Sequence, residues 1–147
     1  MLNIKLKAKT YKLFIDYAIK TCDLLSLVFE KNELHTNEYA LQYEYSLISE
    51  SIVNKENIAI HPNTGSCFEN ADICYLGTSL EISSFLKKAY NIFDWDGEKF
   101  PEELCFYREG RIWFSCICHE KLLFIHNETP DDVEFLTKNK IKFTYEN

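Results

Sequence analysis

The chain has 147 residues, of which 46% are hydrophobic and 15% aromatic, so it can bury one proper core and is short for two. Its formal net charge of -7 argues against nonspecific nucleic-acid binding, which needs clustered Lys and Arg side chains, and favours a basic protein partner. With only 4 Gly and 3 Pro residues and no repeat, the sequence predicts a single ordered domain over residues 1–147.

The six cysteines predict reduced thiols in a cytoplasmic protein, because no secretory signal accompanies them. The first residues are basic, but Lys12, Asp16 and Lys20 interrupt the stretch that follows, so no apolar leader is recognised. No run of 18 apolar residues is present, so we expect no membrane-spanning segment.

The first third of the chain predicts two strands and two helices. Alternation at residues 2–7 predicts a short edge strand, and apolar side chains at helical spacing predict an amphipathic helix over 11–22. The apolar run 24–29 predicts a buried strand. Thr36 and Asn37 can begin a longer helix that runs to about residue 53.

Two tyrosines lie on the far face of that longer helix. Its apolar stripe consists of Leu41, Tyr45, Ile48 and Ile52. Tyr39 and Tyr43 are one turn apart and roughly 160–180° from the stripe, at 100° per residue. Because tyrosine is enriched at protein contacts, we predict that both belong to a partner-binding surface. The alternative is that they lie flat beneath a neighbouring segment.

The middle of the chain predicts two short strands, a third helix and an acidic loop. Strands at 58–60 and 73–76 flank a polar turn, and Thr78 or Ser79 can cap a helix over 80–89.

The acidic loop (residues 91–100) contains one tryptophan, Trp95, among carboxylates. Between residues 94 and 109 there are six acids against two bases, and the acids are Asp94, Asp96, Glu98, Glu102, Glu103 and Glu109. An aromatic group among exposed carboxylates is typical of a surface that binds a basic protein. We therefore add Asp94, Trp95, Asp96 and Glu98 to the predicted surface, with the alternative that Trp95 fills the core.

The C-terminal third predicts three strands joined by tight turns. Glu109 and Gly110 form a two-residue hairpin connection. The predicted register pairs Arg108 with Arg111, Tyr107 with Ile112, Phe106 with Trp113 and Cys105 with Phe114. Thr129 and Pro130 then begin a fourth helix, and alternation over 141–145 predicts a final strand. The fold class is therefore α+β, a mostly antiparallel sheet with a C-terminal β-meander and about four helices packed on the sheet.

The sequence contains no strong catalytic or metal-binding motif. Cys116 and Cys118 share one side of their strand, and the predicted register adds Cys105 and His126 to that side. A Cys-x-Cys pair on a flat strand does not wrap around zinc as a Cys-x2-Cys knuckle does, so we expect no metal, cofactor or catalytic residue. A small enzyme or zinc protein that uses Cys116, Cys118 and His126 is the alternative.

The stretch from Pro101-Glu102-Glu103-Leu104-Cys105-Phe106 through Gly110, Trp113 and His119-Glu120 to Phe135-Leu136 resembles small proteins of low-GC Gram-positive bacteria or their phages. Some of these carry stage III sporulation labels, and some look like immunity proteins of toxin systems. The resemblance implies a cytoplasmic, non-enzymatic inhibitor that neutralises a toxin or a defence enzyme. We expect a basic protein partner, no nucleic acid and no membrane. A homodimeric adaptor is a further alternative.

Overall fold

The computed structural model describes residues 1–31 and 48–146 of the chain. The strands are β1 (Leu2–Lys5), β2 (Leu24–Glu30), β3 (Ile52–Ile60), β4 (Cys67–Gly77), β5 (Glu102–Arg108), β6 (Arg111–Ile117), β7 (Leu122–Ile125) and β8 (Lys142–Tyr145). The helices are α1 (Ala8–Thr21), α2 (Leu80–Leu86) and α3 (Pro130–Lys138). Three short 3-10 turns lie at Ser49–Ser51, Ile92–Asp94 and Cys118–Glu120.

All eight strands belong to one antiparallel sheet, in the order β3-β4-β2-β5-β6-β7-β1-β8. The sheet is open, because β3 and β8 form its two edges. The predicted α+β class with a mostly antiparallel sheet is therefore confirmed. In the described residues, no helix is long and apolar enough to cross a membrane.

Helix α1 packs its apolar stripe on the centre of the sheet. Tyr11, Phe14 and Ile15 are buried, as helical spacing predicts. The ring of Phe14 stacks on Trp113 at 5.7 Å between centroids and meets Phe114 edge-on at 4.9 Å. These contacts join α1 to the main hydrophobic core on one face of the sheet.

Helix α3 begins where the sequence predicts, with Thr129 as its cap and Pro130 as its first residue. The Asp132 carboxylate completes the capping box and is fully buried. It accepts hydrogen bonds from the Arg108 guanidinium at 2.8 and 2.9 Å, from the Tyr17 hydroxyl at 2.7 Å and from Trp113 Nε1 at 3.1 Å. Asp132 therefore ties α1, α3 and the β5–β6 hairpin together.

The predicted helix over residues 36–53 is wrong at its C-terminal end. Its residues up to 47 lie outside the described part of the chain, but Ser49–Ser51 forms a 3-10 turn and Ile52 begins β3. The sequence predicted about four helices, and the described part of the chain contains three of them. Strand β3 is long and exposed on the sheet edge, so its polar residues show no alternating pattern that marks a strand.

The β5–β6 hairpin follows the predicted register only near its turn. Arg108 pairs with Arg111 and Tyr107 with Ile112, but a bulge then pairs Phe106 with Phe114 and Cys105 with Ser115. The predicted pairs of Phe106 with Trp113 and of Cys105 with Phe114 are therefore wrong. In a regular strand, successive side chains point to opposite faces of the sheet. The extra residue of the bulge lets the neighbouring side chains of Trp113 and Phe114 both contact Phe14 of α1.

Candidate functional site

The acidic loop connects α2 to β5 and is closed by a capping box. The Asn91 side chain accepts from the Phe93 N–H at 2.8 Å, and the Asp94 carboxylate accepts from the N–H groups of Asn91 at 3.1 Å and Tyr90 at 2.7 Å. Asp94 is half-buried. Its carboxylate thus stabilises the loop, in addition to any role in binding.

Trp95 lies inside the protein and not on its surface. Its side chain is completely buried, its Nε1 donates to the Tyr11 hydroxyl at 2.9 Å, and its ring packs against Phe85 and Phe100. The expectation that Trp95 is an exposed contact residue is therefore wrong, and the side chain instead fills the core from its loop. The 3-10 turn that ends at Asp94 directs the indole between α1 and α2.

The six acids between residues 94 and 109 do not form one patch. Glu102 and Glu103 are buried, and Glu109 lies at the far end of β5 from the loop. Asp96 is half-buried and Glu98 is exposed. The acidic surface is thus smaller than the sequence suggests. Tyr39 and Tyr43 lie outside the described residues.

Tyr90 is an exposed aromatic residue that the sequence analysis did not single out. Its side chain is 76% exposed. The residue directly precedes the acidic loop, and its backbone N–H donates a hydrogen bond to the Asp94 carboxylate of that loop. The buried apolar side chains of this segment are Ile82, Phe85, Leu86 and Ala89. Tyr90 falls outside that helical stripe, and this periodicity is the signal that could have identified it.

At the base of the loop, the buried carboxyl of Glu102 meets the exposed imidazole of His119. The Glu102 Oε1 atom lies 2.6 Å from His119 Nε2, and the two side chains are 4% and 66% exposed. The other oxygen, Oε2, is buried and has no hydrogen-bond partner within the described part of the chain. Gly97 of the loop covers the same side chain, since a Cβ there would lie 2.7 Å from Glu102 Cγ.

This contact changes the affinity of both groups for protons. Burial, aided by the charge of the neighbouring Glu30 and opposed by His119, raises the pKa of Glu102 to about 7. The hydrogen bond that His119 donates to Glu102 raises the pKa of His119, against a smaller effect of burial. Because both pKa values rise, the pair binds protons more tightly than the two isolated side chains would.

A second polar cluster anchors the β3–β4 turn on the opposite face of the sheet. Glu103, at a bulge with φ of 52°, accepts from the hydroxyls of Thr64 at 2.6 Å and Ser66. The Nδ1 atom of His61 accepts from the N–H groups of Asn63 at 3.1 Å and Thr64 at 3.2 Å. Burial lowers the pKa of His61 to about 4. His61 is therefore neutral and fastens the turn.

Cys105 and His61 do not form a nucleophile and base. The Sγ atom lies 4.0 Å from Nε2, but the backbone bonds to Nδ1 leave the ring proton on Nε2, facing the sulfur. Burial also raises the pKa of Cys105 far above its usual range, so the reactive thiolate is disfavoured.

The structure separates the four residues weighed as a zinc site. The bulge in β6 leaves Cys105 on the face opposite Cys116, and His126 Nε2 instead bonds Ser115 Oγ at 2.8 Å. Cys116 and Cys118 remain together, with their Sγ atoms 2.8 Å apart. Within residues 1–31 and 48–146, no group of three or more His, Cys, Asp or Glu side chains is placed to hold a metal ion.

A cleft of about 610 Å³ lies at the other end of β5, between the C-terminal end of α1 and the N-terminal end of α3. Two of its basic side chains are already engaged, because Arg108 binds Asp132 and Arg111 donates to Asn127 Oδ1 at 2.9 Å. No residue of the acidic loop lines the cleft, and Arg108 joins the hairpin to α1 through Thr21 and to α3 through Asp132.

Comparisons with protein-family models, with curated proteins and with solved structures found no match to this chain. The resemblance to immunity-type proteins thus stays a prediction.

Proposed function

We propose that the chain is a non-enzymatic, immunity-type inhibitor that acts in the cytoplasm and neutralises a toxin or a defence enzyme by binding it. The acidic loop, with Asp96 and Glu98, faces a basic surface of the target. Tyr90 supplies an aromatic contact, and Tyr39 and Tyr43, which lie outside the described residues, remain proposed partner contacts. Carboxylates accelerate the encounter of charged partners, whereas desolvated aromatic side chains set the rate of dissociation.

The observation that carries this proposal is the exposure of Tyr90 beside the acidic loop. A tyrosine that is 76% exposed contributes little to the core, and tyrosine is among the residues that dominate binding energy at protein interfaces. The loop backbone next to it is fixed by the Asp94 capping box, so the contact surface is preorganised. The formal net charge of -7 supports a basic partner.

The test is affinity capture from an extract of the host that encodes the chain, followed by mass spectrometry and binding kinetics on the captured protein. Glu98→Lys should slow association and flatten its salt dependence. Tyr90→Ala should accelerate dissociation and cost about 2 kcal/mol of binding free energy if Tyr90 is a hot spot.

Two variants serve as matched controls. Tyr145→Ala removes another exposed tyrosine, on β8, and Glu109→Lys makes the same charge change at the far end of β5. Both should bind as the unmodified chain does. Equal binding by all four variants would place the interface elsewhere, and stronger losses in the two controls would do the same.

A further inference from the structure

We propose that Cys116 and Cys118 form a reversible intrachain disulfide, a modification site that a low-molecular-weight disulfide such as glutathione disulfide can oxidise. The proposal is independent of the proposed function. The two Sγ atoms lie 2.8 Å apart, about 0.8 Å farther than the roughly 2.05 Å of a disulfide bond.

The local backbone explains why these two sulfurs meet. In a flat strand, residues two apart have Cα atoms separated by roughly 6.6 Å, close to the upper limit for a disulfide. Here β6 ends at Ile117, whose φ of -104° and ψ of 85° leave the extended conformation, and Cys118 begins a 3-10 turn. The change of direction brings the Cys118 side chain toward Cys116.

The reaction is a two-step thiol–disulfide exchange. One protein thiolate attacks glutathione disulfide, a mixed disulfide forms, and one glutathione thiolate leaves. The second protein thiolate then attacks the protein sulfur of the mixed disulfide and releases the second glutathione. Two protein S–H bonds are lost, one S–S bond forms, and the two protons pass through solvent to the two glutathione thiols.

Burial controls the rate of this exchange. Burial and the neighbouring Cys118 raise the pKa of Cys116 well above its ordinary value, so few thiolates exist at neutral pH. Oxidation therefore requires the Cys118–Glu120 turn to open and becomes faster as pH rises. The turn is a surface segment, since His119 and Glu120 are exposed and Lys121 ends it with φ of 57°.

Cys67 is exposed and should therefore react with glutathione disulfide before the buried pair does.

The disulfide would also act on the Glu102–His119 pair. His119 follows Cys118 directly, and its contact with Glu102 depends on the conformation of the same turn. A bond between Cys116 and Cys118 fixes the first residue of that turn. The proton affinity of His119 should therefore differ between the oxidised and the reduced protein.

The experiment exposes the folded full-length chain to glutathione disulfide, blocks remaining thiols with a maleimide in denaturant, and analyses the tryptic digest by mass spectrometry. Trypsin cleaves after Arg111 and Lys121, so both cysteines and no other fall in the peptide 112–121. We expect this peptide to be two hydrogen atoms lighter and unlabelled, and to take up two maleimides after reduction. The NMR titration of His119 should shift with oxidation.

Cys116→Ser and Cys118→Ser are the matched controls, and each should leave one thiol that carries glutathione or maleimide. The proposal is overturned if peptide 112–121 keeps two maleimides while Cys67 carries glutathione, because the oxidant has then reached the protein without closing the pair. Formation of the disulfide only in urea-unfolded protein would overturn it equally. Circular dichroism on each sample establishes that the protein is folded.

Discussion

Replacing Glu102 with Gln should change how the stability of the protein depends on pH. The carboxyl titrates near 4.5 when unperturbed, whereas burial raises its pKa to about 7 in the folded protein. Between these values the folded state keeps a proton that the unfolded state has released. The contribution of Glu102 to the free energy of unfolding therefore falls as pH rises through this window and is lowest above it.

The magnitude follows from the two pKa values of Glu102. Their difference, from 4.5 to about 7, corresponds to about 3 kcal/mol at about 1.4 kcal/mol for each pH unit. The raised pKa of His119 acts with the same sign, because its stabilising contribution is present below its ordinary value of 6.5 and is lost as pH rises. Glu102→Gln keeps the size of the side chain, removes the Glu102 contribution and removes the charge of the carboxylate that most raises the pKa of His119.

The assay is urea unfolding of the unmodified chain and of Glu102→Gln, followed by circular dichroism at several pH values. As pH rises from about 4.5 to above 7, the free energy of unfolding of the unmodified chain should fall by about 3 kcal/mol relative to that of the variant. A difference that does not change with pH would show that Glu102 titrates as it does in the unfolded chain, and would refute its burial against His119.

His61→Asn provides a companion measurement with the opposite sign. Asn Oδ1 can accept the backbone N–H bonds that His61 Nδ1 accepts, but it does not titrate. Because the pKa of His61 is lowered from 6.5 to about 4, the unfolded state takes up the proton first as pH falls. As pH falls from about 6.5 to 4, the free energy of unfolding of the unmodified chain should thus fall by about 3 kcal/mol relative to that of this variant. Equal pH dependence in the two proteins would mean that the imidazole is solvated.

Substitutions at three further positions test the core and its buried ion pair. Trp95→Ala should cost about 3–5 kcal/mol of stability, and an unchanged melting temperature would contradict the burial of Trp95. Trp113→Ala should cost a similar amount, about 3–5 kcal/mol, and Trp113→Phe should recover part of it, as measured by urea unfolding. Asp132→Asn should cost about 3 kcal/mol or more, because it leaves the Arg108 guanidinium without its charge partner; a loss below about 1 kcal/mol in the same assay would show that this pair is solvated.

Features governed by neighbouring residues were predictable from the sequence. The stripe of α1, the Thr129 cap with Pro130 at the start of α3, and the Glu109-Gly110 turn all depend on interactions within a few residues, so their patterns are visible along the chain. Their sum predicted an α+β protein with a mostly antiparallel sheet. Strand β3 was only partly predicted, because an exposed edge strand has no apolar alternation to mark it.

Features that depend on packing between distant segments were decided only by the tertiary structure. The bulge in β6 exists because Trp113 and Phe114 both pack on α1, and this single extra residue moved Cys105 to the other face of the sheet. Trp95 lies in the core because its Nε1 donates a hydrogen bond to the Tyr11 hydroxyl and its ring packs against Phe85.

The candidate site shows the same division. The sequence marks the loop as acidic, but the structure buries Glu102 against His119, 17 residues further along the chain, and leaves Tyr90 exposed. A carboxyl acquires a raised pKa only when neighbours from other elements remove it from water, and this burial has no counterpart in local sequence. Charge and periodicity are properties of the chain, whereas burial and contact are properties of the fold.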